Sequence, residues 1–380
     1  MTNVVYLDNN ATTKVDPQAL EAMLPYFSDY YGNPSSMHSF GGGVAAHIRT
    51  AREQLARLLG ASADEIVFTS CGTESDSTAI RAAIESYPAK RHLVTSRVEH
   101  PAVKNLFEAL AKKGYRTTFV PVDGQGRLDL AALYDSLSDD TAIVSLMWAN
   151  NETGVIFPIE EISRKVKERG IVFHTDAVQA VGKIPFDLGN TGVDMLSLSG
   201  HKIHGPKGIG ALYIRSGIEL APMIMGGPQE HSLRAGTENV PGIVGLGAAM
   251  NIVREHRAEE RVRLTGLMQY LVNGLQALCP GAIVNGAEET SAPHILSVSF
   301  PGADAEMILI HLNGEGIAVS LGSACNSKSI EPSHVLTAMH LPQEQIESTL
   351  RISLGMPTTR DELDTLLDAV SRIMPRVIVQ

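Results

Sequence analysis

From residue 44 to about residue 215, amphipathic helical patterns alternate with short runs of apolar and β-branched residues, and this alternation restricts the fold more than any other feature. VAAHIRTAREQLARLLG has a helical period, whereas EIVFTS, HLVTS and TTFVPV read as strands, parted by helices that begin at Thr73 and after Pro101. AIVSLMWAN, IVFHTD and DMLSLSG continue the series, with a helix near residues 158–169 between the first two, and IGALYIR adds another strand. Strands separated by helices need crossover connections. The pattern therefore predicts an α/β fold around a mostly parallel sheet covered on both faces.

After ENVPG the texture changes to a long helical stretch ending in NGLQAL, then the strand HILSVSF, a helix near residues 304–313, the strands IAVS and LRISLG, and an amphipathic segment from Asp361. This predicts a smaller α/β layer with a boundary near residue 250. A chain of 380 residues exceeds the span of one ordinary core, which agrees with two domains.

Charge and composition exclude several functions. A formal charge of −11 without any Lys/Arg cluster argues against nucleic acid as a partner. No stretch approaches the ~20 apolar residues that span a bilayer, and MTNVVYLDNN has neither the basic head nor the apolar run of a signal peptide. The expectation is a cytoplasmic protein with no membrane contact. Cys71, Cys279 and Cys325 are odd in number and far apart, so neither a disulfide framework nor a zinc site is indicated.

In parallel sheets ligands collect at the carboxyl ends of strands, and the polar residues cluster there. SLSGHKIHGPKG sets Lys202 in a Gly-flanked turn after a strand, where an amine of lowered pKa can form a Schiff base or simply be solvated; Lys207 is its rival in the same loop. His201 and His204 have a spacing that could suit a metal but lack a third ligand nearby, so no metal is expected. Asp176, ending IVFHTD, either caps a following helix or pairs with a pyridinium nitrogen. Thr73 in CGTESD stands at a strand-to-helix junction suited to a phosphate, although the same string is also an ordinary capping pattern. His100, before Pro101, can stack on a planar group or be a loop histidine. Cys279 follows an apolar helix and reads as an inert thiol, whereas Cys325, in SLGSACNSKSIEPSH, is set among small polar residues that argue for an accessible loop.

Taken in order, YLDNNATT, GNPSSMHSFG, TESD, EHPAV, NNETG, HTDAVQ, SGHKIHGPKGIG, RAGTENV, GSAC, EPSHVL and RISLG resemble the cysteine desulfurases of the NifS/IscS type, members of the fold-type I pyridoxal-phosphate enzymes in the class V aminotransferase family. The resemblance implies an aminotransferase-like large domain with a mostly parallel seven-stranded sheet over residues 13–250. It also implies a small α/β domain made of residues 1–12 and 251–380, carrying the catalytic cysteine loop at about 321–332.

The implied activity is conversion of L-cysteine to L-alanine, with the sulfur received by Cys325 as a persulfide and passed to an iron–sulfur scaffold or another acceptor protein. Lys202 would hold pyridoxal 5'-phosphate covalently and move the Cα proton, Asp176 would hold the pyridine nitrogen, Gln179 the ring oxygen, and His100 would stack on the ring. Thr73, Ser199 and His201 would hold the phosphate with Thr237 of a partner subunit, which implies a homodimer; Asn151 and Arg351 would bind the substrate carboxylate. Departures from the family pattern are Cys71, where glycine is usual, Met356, where arginine is frequent, and Asn326 and Lys328 in the cysteine loop. The competing readings are a selenocysteine lyase or other aminotransferase-like enzyme, and a noncatalytic scaffold for cluster assembly.

Overall fold

The computed structural model describes residues 4–322 and 332–377. Seven strands form one sheet in the order Ile66–Thr69, Gly210–Ile214, Met195–Ser199, Val172–Asp176, Thr141–Met147, His92–Ser96, Arg116–Val120. Every expected strand of the alternating region is present. Gly210–Ile214 runs antiparallel to both neighbours, and the remaining pairs are parallel.

Alternate residues of these strands feed opposite faces, as a period of two requires. Ile66, Phe68, Leu196, Leu198, Ala211 and Tyr213 join one core, together with Val44 and Ile48 of the helix Ser39–Leu59 and Ile243 and Leu246 of the helix Val240–Leu278. Val67, Met195, Leu212 and Ile214 join the other, against Ile80 of Gly72–Ser86 and Phe107 of Pro101–Lys112. Both faces are therefore covered by helices. Ser39–Leu59 stops because Gly60 takes φ +71, a left-handed turn that returns its N–H to the Ala56 carbonyl.

The long helix Val240–Leu278 passes straight through residue 250. Its first part, to Val253, belongs to the large-sheet core, and Leu264, Leu271 and Leu275 belong to a separate one. That second core lies between the helices Ala305–Gly314 and Arg360–Val377 and an antiparallel four-stranded sheet, ordered Ser320–Leu321, Thr349–Ser353, Ile295–Ser299, Ile283–Val284. The N-terminal strand Val5–Tyr6 pairs with Ile317–Ala318, and Asp8 bridges to Ser353. Among the described residues no helix is long and apolar enough to cross a membrane.

Candidate active site

Because Gly210–Ile214 is antiparallel to both neighbours, Ile66–Thr69 points the same way as the other parallel strands, and their carboxyl ends share one edge. Gly210 permits this junction: a Cβ there would sit 2.7 Å from the Leu198 carbonyl oxygen and 2.8 Å from the Cys71 carbonyl carbon. From His92–Ser96 the chain moves outward to Arg116–Val120 and then returns past it to Thr141–Met147, which opens a crevice between two strand ends. His100 follows the first of these strands. Asn150, Asn151 and Glu152 follow the second, in a turn fixed by Asn150 Oδ1, which accepts from the N–H groups of Glu152 and Thr153, both at 2.9 Å.

Lys202 ends a single 3-10 turn after Met195–Ser199, and its partly buried amine donates to the Asn10 carbonyl and, at 3.0 Å, to the Ala11 carbonyl. Lys207 is exposed, so of the two lysines Lys202 is the one turned into the fold. Gln179 is tied to the same place, its Nε2 donating to the Asn10 carbonyl at 3.2 Å while its Oε1 accepts from Lys183 at 3.0 Å. Neither Asn10 nor Lys183 was singled out from sequence.

Asp176 closes its strand and accepts from the Val178 N–H at 2.9 Å; a turn follows it rather than a helix, so the helix-cap reading is not met. Burial raises its pKa, while the positive charge available to His100 and that of Lys202 pull it down. His100 feels the converse: burial lowers its pKa, Asp176 raises it and Lys202 lowers it. The charges of the three side chains thus act on one another. His100 Nδ1 accepts from the Ala102 N–H at 3.2 Å, which caps the Pro101–Lys112 helix and leaves the neutral ring's proton on Nε2.

Beneath Asp176 lie two buried acids that sequence reasoning missed. Asp76 is raised well above the ordinary carboxyl value by burial and then by Asp176, and stands 3.6 Å from His174. Glu99 is pushed up to about 8 by burial. His174, held down to about 3 by burial, is neutral between the hydroxyls of Ser145 and Ser197 at 2.8 and 2.9 Å. Burial thus pushes Asp76, Glu99 and Asp176 all upward, and of the three Asp176 is the one that the charges of His100 and Lys202 pull back down.

The strand-to-helix junction tests whether a phosphate fits. Cys71 occupies the cap position of Gly72–Ser86 but makes no side-chain cap bond, and Thr73 is exposed in the first turn. Glu74, by contrast, turns back to the Ser70 N–H at 2.8 Å and receives Arg234 at 2.9 Å. Ser199 Oγ is buried without a hydrogen-bond partner among the described residues, and a Cβ on Gly72 would lie 3.6 Å from the Ser199 Cβ. An uncapped helix start, an orphaned hydroxyl and an adjacent threonine together fit a phosphate. His201 joins them from the same turn as Lys202. Its Nδ1 lies 3.1 Å from Thr12 Oγ1, and burial followed by Lys202 holds its ring down to about 4.

Arg351, only 3% exposed, extends Nη1 to the Asn151 carbonyl at 3.2 Å and Nη2 to Asp8 at 3.0 Å, while its buried Nε has no partner among the described residues. Glu152 next door is pushed up to about 7 by burial. It accepts from Ser333 Oγ, and a Cβ on Gly322 would lie 3.1 Å from its Oε2. Cys325, Asn326 and Lys328 lie outside the described residues, but the residues flanking that segment, Gly322 and Ser333, both stand against Glu152. Of the other thiols, Cys279 is raised by burial and Cys71 is partly buried beside Ser70. Thr237 is exposed before the long helix, with no side-chain hydrogen bond among the described residues, and is not gathered into the site within this chain.

Comparison with known proteins gives the family. The family described as aminotransferase class-V matches residues 5–366. A cysteine desulfurase of Trichormus azollae is 53% identical over 99% of this chain and 94% of its own length. The cysteine desulfurase NifS of Azotobacter vinelandii is 49% identical over 99% of this chain and 93% of its own. Among solved structures, a NifS-like protein superimposes with a TM-score of 0.93 at 42% identity, covering 99% of this chain and all of that one.

Proposed function

Because the chain belongs to the aminotransferase class-V family and, within it, to the cysteine desulfurases of the NifS type, we propose that it converts L-cysteine to L-alanine and takes the sulfur onto Cys325, for delivery to iron–sulfur cluster assembly. The observation that carries the reading is the convergence of Lys202, Asp176 and His100 beside an uncapped helix start and the orphaned Ser199 hydroxyl.

Pyridoxal phosphate is the cofactor this set suits, and when bound it supplies an electron-withdrawing ring that stabilises negative charge on the substrate's Cα. Thr73, Ser199 and His201 would hold its phosphate, Asp176 would face its ring nitrogen, Gln179 its ring oxygen and His100 its ring. Lys202 would be the amine that carries it and that moves the Cα proton. Arg351 receives the substrate carboxylate with Asn151 beside it.

Sulfur transfer is a displacement that Cys325 performs as a thiolate. An S–S bond forms as the Cβ–S bond of cysteine breaks, the electron pair stays on carbon, and a proton delivered there gives alanine. The anchoring of Gly322 and Ser333 against Glu152, whose neighbour Asn151 meets Arg351, supports delivery of Cys325 to this site.

The working unit is a homodimer in which Thr237 reaches the partner's cofactor. Exposed Phe27, Tyr31, Met37 and Phe40 supply an apolar surface of the kind self-association needs. The test is release of sulfide and alanine from L-cysteine by wild type and Cys325→Ala. Loss of sulfide in the variant, with the absorbance of bound cofactor retained, supports the assignment; undiminished sulfide would favour a lyase that does not use this thiol.

A further inference from the structure

We propose that a cavity walled by the middle of the Val240–Leu278 helix and the turn carrying Lys183 is a binding site for a small oxyanion of the sulfate or hydrogen phosphate class, distinct from the place that receives the substrate carboxylate. The cavity encloses about 40 Å³ and is lined by Lys183, His204, His294, Arg257, Arg261 and Glu260 among others. The space is roomy enough for several waters or one small ion. Asp176, Thr73 and Arg351 do not line it; Lys202 does, while its amine is turned to the Asn10 and Ala11 carbonyls.

Three observations point to an anion. The first is His294, 1% exposed, with neither ring nitrogen hydrogen-bonded among the described residues, an arrangement that costs stability unless a ligand or water completes it. The second is the charge of the lining. The one carboxylate among the described lining residues, Glu260, is held by Arg263 Nε at 2.8 Å and Nη2 at 2.6 Å, so it is not paired with Lys183, Arg257 or Arg261. The third is that the Lys183 ammonium carries three donors, and Gln179 Oε1 takes one at 3.0 Å. Arg257 and Arg261 are exposed and give an entering anion its first contacts.

The site is linked to pH. Burial and then the charge of Lys202 hold Lys183 down to about 7, so an anion bound beside it draws a proton onto the amine. His201, His204 and His294, the histidines that face Lys183, are all held below the ordinary imidazole range, chiefly by burial. Above neutrality they stay uncharged, and affinity should fall about tenfold per pH unit as Lys183 loses its proton.

Equilibrium dialysis of the holoenzyme against radiolabelled sulfate, with ionic strength held constant by chloride, tests this. Sulfate does not titrate between about pH 7 and 9, so any pH dependence belongs to the protein. The expected result is one saturable sulfate per chain, weakening with pH as stated, and weakened about tenfold or more by Lys183→Met at pH 7. Arg257→Ala with Arg261→Ala, both exposed, should weaken it severalfold even if Lys183→Met does not fold. Three results would overturn the site: no saturable uptake, which means water only; uptake that displaces cofactor absorbance, which assigns the ion to the cofactor's phosphate cradle; or wild-type affinity in the arginine double variant. Cofactor absorbance is read in the same samples, so failure of the desulfurase reading is seen separately.

Discussion

Arg351 Nη2 donates to Asp8 Oδ1 at 3.0 Å, joining two residues 343 positions apart, so the guanidinium proposed to receive the substrate is held by the N-terminal segment. A carboxylate arriving at this fork shares it with Asp8. Arg351→Ala should raise the KM for cysteine about 10- to 100-fold, the equivalent of a charged hydrogen bond worth about 1.5–3 kcal/mol, with a smaller change in kcat. Asp8→Ala, which unfastens the guanidinium without removing it, should raise KM by less. Steady-state kinetics check both, and an unaltered KM in Arg351→Ala would remove Arg351 from the substrate site.

Asp176 is a buried acid whose charge form is costly to fold around. Asp176→Asn keeps the shape and the acceptor for the Val178 N–H while deleting the charge. Turnover should fall on the order of 10²-fold, and the thermal midpoint should stay the same or rise. A variant with near-normal turnover would separate this residue from the chemistry; one that merely unfolded would make its role structural.

Glu99 gives a pH test of folding. Its Oε1 accepts from Ser96 Oγ at 2.6 Å and the Met147 N–H at 3.1 Å, its Oε2 has no partner among the described residues, and burial pushes it up to about 8. In the unfolded chain a glutamate titrates near ~4.3, so between these values the folded state holds the proton more tightly. Stability from this group is therefore present at low pH and lost as pH rises towards 8, by about 1.4 kcal/mol per unit. Glu99→Gln should lose that slope. Chemical unfolding of the pair from pH 5 to about 8 should give stability curves that diverge in the variant's favour as pH rises; parallel curves would contradict the assignment.

Much of this was legible in the sequence for a physical reason. Parallel strands buried on both faces read as continuous apolar runs, and the polar residue that ends each run marks the ligand edge, which is how Thr73, His100, Asp176 and Lys202 were found. The missed partners act through contacts that no local pattern encodes. Asp8 and Asn10 meet Arg351, Asn151 and Lys202 only after the N-terminal segment lies across the molecule. Asp76, on a helix that opens GTESD, looks like a solvated acid near a helix start, and its burial depends on how that helix packs on the sheet. Gly210–Ile214 was found as a strand, but its direction is set by its short connection to Met195–Ser199. The helices Leu130–Ser136 and His334–Ala338 are too short to establish a period.

The central claim joins Lys202, which holds the cofactor, to Cys325, which takes the sulfur, and one measurement reads both. Wild type, Lys202→Ala and Cys325→Ser, each supplied with pyridoxal phosphate, are given L-cysteine, quenched with an alkylating agent and digested for peptide mass analysis. The account predicts one added sulfur atom on the Cys325 peptide of wild type, with alanine formed alongside it, and neither in Lys202→Ala. Sulfur carried instead by the Cys71 or Cys279 peptide, or alanine still formed by Lys202→Ala, would contradict it.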